Sequence, residues 1–132
     1  MKLTIAEKQY YVDFFHIIGP DFRRLYDLEE DIAMSTKQLI YNTTGVYPSD
    51  SSQVIISNGT TTCHIYDNLE AYKEHKAVVA EGEAYCSPDD NFSRKLGRKI
   101  SFSRALEALQ LTREERFKWW QEYGKLMPKD LR

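Results

Sequence analysis

Residues 54–66 read Val54-Ile55-Ile56-Ser57-Asn58-Gly59-Thr60-Thr61-Thr62-Cys63-His64-Ile65-Tyr66. β-Branched side chains fill both halves, and such residues pack well on an extended, pleated backbone. Between them, Asn58-Gly59 is the pair that most readily takes the two positive φ angles of a tight turn. The stretch therefore predicts a β-hairpin with strands at 54–57 and 60–66. A lone hairpin is marginal in water, so a third strand is expected, and 76–85 is its place. The result is a three-stranded antiparallel sheet.

Upstream, residues 42–52 are rich in turn formers and read as a loop. The 41 residues before it read as a helical N-terminal region. Thr4-Ile5-Ala6-Glu7 has the spacing of a capping box, so a first helix is expected after it. Tyr10, Tyr11, Phe14, Phe15, Ile17 and Ile18 are dense and aromatic, which makes a strand over 10–18 the competing reading. Gly19-Pro20 ends either one. From Asp21, the residues Phe22, Leu25, Leu28, Ile32 and Leu39 recur at three- and four-residue steps and predict a second helix to about Tyr41. The run Asp27-Leu28-Glu29-Glu30-Asp31 is acidic. A solvated face explains it plainly; an acidic patch that imitates nucleic acid is the functional alternative.

Downstream, Ser87, Pro88 and Asp90 suit the cap, the first position and the third position of a helix that continues past Arg104. Thr112 and Glu115 form another capping box, followed by Phe117, Trp120, Tyr123 and Leu126 at helical spacing until Pro128. Trp119 falls off that stripe and is expected on the surface, where it favours self-association. The fold class expected is α+β: N-terminal helices over 1–41, then the sheet and two C-terminal helices over 53–132, all in a single domain, 1–132.

The chain has 132 residues and a net charge of -2, so a broad basic surface for nucleic acid is not expected. No apolar run is long enough to span a bilayer, and residues 1–7 lack a signal-peptide core, which points to a cytosolic protein with reduced Cys63 and Cys86. His16, His64 and His75 have no ligand spacing. Neighbours on a strand point to opposite faces, so Cys63 and His64 are unsuited to one zinc ion. Asp89 and Asp90 already have a role at a helix start, and no glycine-rich phosphate loop occurs. No catalytic residue, metal or cofactor is expected.

Residues 93–104 hold five cations and no acid. At about 100° per residue, Arg94 and Arg98 stack one turn apart beside Ser101, Ala105 and Ala108, with Arg104 at the flank and Leu96, Ile100, Phe102 and Leu106 on the other side. A guanidinium fork pairs its hydrogen bonds with phosphate or carboxylate, so Arg94, Arg98 and Arg104 are candidate anion ligands. Asn91 offers an amide and Phe92 a ring for a base, although the angle of Phe92 also suits the core. An ordinary solvated face of ion pairs is the plain alternative.

The run Gly82-Glu83-Ala84-Tyr85-Cys86-Ser87-Pro88-Asp89-Asp90-Asn91-Phe92-Ser93-Arg94-Lys95-Leu96-Gly97-Arg98, continued by Arg104-Ala105-Leu106, resembles a pattern in small accessory proteins of bacteriophages. The strand-to-helix junction resembles the first type of phage Thoeris anti-defence proteins, sponges that hold cyclic ADP-ribose isomers, and in some cases cyclic oligonucleotides, between protomers. The resemblance implies a homo-oligomeric antagonist of bacterial immunity in the host cytoplasm, sequestering a phosphate-containing cyclic nucleotide by binding and not by catalysis. It also implies base contacts at Asn91 and Phe92 and phosphate contacts at Arg94 and Arg98. The helical N-terminal region suits a second expectation, an anti-CRISPR protein that inhibits an effector nuclease by direct protein binding. There the contact surface is the acidic helix at 27–31 or the aromatic C-terminal helix.

Overall fold

Ala6 and Glu7 both hold positive φ, 49° and 69°. They form the two-residue turn between β1 (Lys2–Ile5) and β2 (Lys8–Arg24) in the computed structural model, which describes residues 1–131. β3 (Gln53–Tyr66) and β4 (Ala80–Tyr85) complete an antiparallel sheet in the order β1-β2-β3-β4. A 3-10 turn at Leu25–Asp27 and α1 (Glu30–Thr44) join β2 to β3, and α2 (Leu69–Glu74) joins β3 to β4. α3 (Arg94–Ala108), α4 (Arg113–Leu126) and a 3-10 turn at Pro128–Leu131 follow. The fold is α+β.

The N-terminal helices and the strand count need correction. Thr4 to Glu7 is a hairpin tip and not a capping box, and residues 10–18 belong to the long strand β2. Their dense apolar content reflects a strand clothed on both sides. Tyr10 and Phe14 meet Trp119 and Tyr123 on one face, while Tyr11 and Phe15 meet Tyr72 and His64 on the other. The helix expected from Asp21 is also divided. Phe22 stays in β2, Leu25 is buried in the 3-10 turn, and α1 begins only at Glu30. The third expected strand starts at Ala80, because Asn68 caps α2 across 69–74 through the Ala71 amide and the chain reaches the sheet later.

Asn58-Gly59 does not turn the chain, since β3 runs straight through it. Gly59 holds φ +140° almost opposite Gly19 at φ +113°, and the β2–β3 register shifts between Ile18 and Asp21. The two glycines thus mark a bulge that bends the ribbon. A side chain at Gly59 would also bring a Cβ within 2.3 Å of the Phe92 ring. Of the two positive φ angles expected of the pair only that of Gly59 occurs, and it serves a bend and a ring contact.

α3 and α4 cover one face of the sheet. A Cβ on Gly82 of β4 would lie 2.1 Å from the Ser101 carbonyl oxygen and 2.4 Å from the Ala105 nitrogen, so α3 touches β4 backbone to backbone. Ser101 and Ala105 therefore face the sheet and leave no room for a ligand, whereas Leu96 and Ile100 turn outward. The C-terminal capping box forms as expected, with the Glu115 amide donating to Thr112 and the Thr112 amide to Glu115. The stripe after it is rotated from expectation: Trp119 is 2% exposed and joins Tyr10 and Phe102, while Phe117 is 63% exposed. Among the described residues, no helix is long and apolar enough to cross a membrane.

Gly82→Ala is expected to destabilise the fold by about 1–3 kcal/mol, the usual cost of overpacking where backbone must shift. Urea denaturation measures it. A cost below about 0.5 kcal/mol would mean that α3 does not sit this close to β4.

Candidate functional site

The polypeptide leaves β4 still held to β3. The Cys86 amide donates to the Gly59 carbonyl at 2.9 Å, and the Asn58 amide donates to the Cys86 carbonyl at 3.0 Å. The chain then folds on itself, with the Asp90 amide on the Ser87 carbonyl and the Asn58 side-chain amide on the Asp90 carbonyl. Helix α3 starts six residues later than the sequence suggests. Ser93, not Ser87, is its cap and accepts from the Leu96 amide at 3.2 Å. The intervening turn leaves a cavity of about 410 Å³ against the first turns of α3, walled by Tyr85, Cys86, Asp90, Asn91, Phe92 and Leu96 among others.

The five candidate ligands part company here. Asn91 and Phe92 both line the cavity. Arg94 is exposed on the first turn of α3, directly after the Ser93 cap. Arg98 is already engaged: its Nε and an Nη donate to the two carboxylate oxygens of Asp130, each at 2.8 Å. The Tyr123 hydroxyl donates to the same carboxylate at 2.6 Å, and the Asp130 side chain is only 4% exposed. Arg104 donates to the carbonyl oxygen of Glu83 on the edge strand β4. Arg98 and Arg104 are thus structural partners, and the cation run divides because its members meet acceptors distant in sequence.

Those contacts set the local charge states. The Arg98 hydrogen bonds hold the Asp130 carboxyl below the usual carboxylate range against the opposing effect of burial, with Tyr123 adding to them. The same pair raises the Arg98 guanidinium, and burial followed by Asp130 pushes the Tyr123 phenol up. His16 joins this cluster without any signal in a motif. Its Nδ1 lies 2.8 Å from Thr61 Oγ1, and its ring meets Phe92 edge-on at 5.8 Å. Burial lowers its pKa first, then the charges of Arg98 and Arg94. Strand alternation through Tyr10, Val12 and Phe14 would have placed His16 on this face, had β2 been recognised.

The other two histidines lie across the sheet. His64 approaches Glu81 at 3.6 Å and His75 approaches Asp13 at 3.4 Å, with the ring of Phe15 beside both. Cys63 is buried in the core, where burial and then Asp13 raise its thiol pKa, and Cys86 is free in the cavity wall. Among the described residues, no three His, Cys, Asp or Glu side chains gather as a metal ion would require. The arrangement offers an aromatic ring, an amide and a helix N-terminus around a concavity, and Arg94, on the first turn of α3, is not part of its lining. A ring of this kind can stack on another planar ring, and a helix N-terminus attracts negative charge. No protein-family model, curated protein or solved structure matches the chain.

Two acid responses are expected. Asp130 has a lower pKa folded than unfolded, so the unfolded chain takes up its proton first and stability falls as pH drops below the ordinary aspartate range of about 4. Asp130→Asn is expected to cost about 2 kcal/mol at pH 7, the scale of a hydrogen bond to a charged group, and to flatten that decline. His16 is also lowered, so the unfolded imidazole charges first and stability weakens as pH falls through about 6.5. His16→Gln should remove this step. Urea midpoints from pH 3 to 8 measure both, and parallel wild-type and variant profiles would contradict the assignment.

Proposed function

We propose that this chain is a phage-derived antagonist of bacterial immunity that sequesters a phosphate-containing cyclic nucleotide without altering it. The observation that carries the reading is the cavity at the start of α3, where Asn91, Phe92 and the Ser93 cap converge. The Phe92 ring, seated on Gly59 and braced by His16, is suited to stack on a base. Asn91 supplies both a donor and an acceptor for a base edge. Phosphate is drawn to the helix N-terminus, and Arg94, exposed on that first turn though outside the cavity lining, is the cation that would turn toward it. The Asp90 carboxylate in the same wall repels phosphate and steers it toward the α3 side.

Retention requires no bond to break, so no residue is asked to act as acid, base or nucleophile. In this reading Arg98 has a positioning role, because its pairing with Asp130 ties α3 to the C-terminal turn. The host cytoplasm is where such a signal would be met. The second reading, an anti-CRISPR protein that binds an effector nuclease directly, draws on one observation: α1 buries none of its residues and follows the acidic turn at 27–31. The aromatic α4 serves it less well, since Trp119 and Tyr123 are committed to the core.

Calorimetry against cyclic ADP-ribose isomers and cyclic di- and trinucleotides tests the first reading. At least one is expected to bind. Asn91→Ala and Arg94→Ala should each weaken it about tenfold or more, equivalent to about 1.4 kcal/mol, and Arg104→Ala should leave it within twofold. Mass spectrometry should recover the ligand intact. Absence of heat with every compound of this class would sink the proposal.

A further inference from the structure

The β2–β3 ribbon outgrows the sheet that supports it. β1 pairs with β2 over Lys8–Tyr11, and β4 pairs with β3 over Thr60–Ile65, with the Cys86 backbone bonds carrying that edge on to Asn58. Past the bend at Gly19 and Gly59, the ribbon from Asp21 to Arg24 and from Gln53 to Ser57 has two strands, and its far end carries α1. Two-stranded ribbons and isolated helices of this length are both marginal in water, so an arm of this construction calls for a surface to lie on. Its own packing is thin: α1 has no buried residue, and Phe22, Ile32, Met34, Leu39 and Val46 are all exposed.

We propose that the arm is a dimerisation device, with α1 of each copy docking on the outer face of α3 in a second copy. Charge complementarity selects that occupant. The arm side presents Glu29, Glu30 and Asp31 beside its apolar residues, whereas the outer face of α3 carries the half-buried Lys99 beside the exposed Leu96 and Ile100, with its one acid, Glu107, two turns further on. α1 has a single basic side chain, Lys37, and this is paired with Asp50, so a second α1 offers no unpaired cation to the acids at the start of the helix. Reciprocal arm exchange across a twofold axis satisfies both arms with the same contact made twice. Leu96 and Ile100 also wall the cavity at the start of α3, so the docked arm lies against it. The dimer does not require a ligand.

Sedimentation equilibrium of the ligand-free chain tests this, with circular dichroism confirming that each variant folds. A dimer is expected at micromolar concentration, weakening as salt rises. Glu30→Lys and Lys99→Glu should each raise the dimer dissociation constant about tenfold, and the two changes combined in one chain should restore it. Leu39→Ser and Leu96→Ser should also raise it. A wild-type monomer at 100 µM would overturn the proposal, including the case in which the arm instead serves a foreign protein. A dimer indifferent to all four substitutions, or charge changes that fail to rescue each other, would overturn it too.

Discussion

The contact between Gly82 of β4 and the backbone of α3 at Ser101 and Ala105 governs the rest of the molecule. A helix set at side-chain distance from a sheet can slide and rotate on a cushion of flexible groups, but a backbone contact allows almost none of this. Once α3 is seated there, Phe102 and Leu106 fall into the core, where Phe102 stacks on Tyr123 at 4.8 Å. At the N-terminal end, the same seating brings Gly97 over Thr61 and sets Phe92 on Gly59. Three bare positions, on β3, β4 and α3, therefore fix the depth of the helix along its length. The cavity beside Asn91 is the space left where the chain climbs from the strand to that depth.

Electrostatics follows from the same geometry. Five cations in twelve residues look like a binding surface when only their own helix is considered. Arg98 is close enough to the C-terminal turn to meet Asp130 with both prongs of its fork, and Arg104 reaches over the sheet edge to the Glu83 carbonyl. Exposed ion pairs contribute little, but the Asp130 carboxylate is nearly closed off and receives three donors, two from Arg98 and one from Tyr123. A cation in such a place defines where two elements meet. Arg94 stands exposed on the first turn of α3 and is held by no ion pair among the described residues.

What was legible in the sequence divides along local and non-local lines. The capping box at Thr112 and Glu115, the extent of α4 and the C-terminal part of α3 depend on neighbours within a turn, and they could be read, whereas the start of α3 could not. Thr4-Ile5-Ala6-Glu7 has the same local spelling yet forms a hairpin tip, because β2 has β3 beside it over a dozen residues and that pairing outweighs one cap. Gly59 takes a positive φ as expected and Asn58 does not, because whether such a backbone turns or bends depends on the strand lying opposite. The wheel of α3 set Phe102 and Leu106 toward the core correctly, but it grouped the exposed Leu96 and Ile100 with them and put Ser101 and Ala105, which pack on the sheet, on the outer side. Small side chains there meant close approach, a meaning available only once Gly82 was known to face them. Asn91 and Phe92 reached the cavity because they lie at the junction itself, where sequence neighbours remain spatial neighbours.

The bend at Gly19 and Gly59 divides the chain into regions with different tolerance for change. Residues before it answer to a core of interlocking rings, in which a single altered side chain is felt by several others. Beyond it, the two strands pair with each other and with no third strand among the described residues, so adding or removing residues in facing pairs is expected to leave the helices on the sheet in place. The arm can thus vary in length and tip chemistry while the bend preserves its heading. A lineage carrying this fold could change what it grasps by editing the segment between Pro20 and Asn58 and leave the machinery that folds the protein intact.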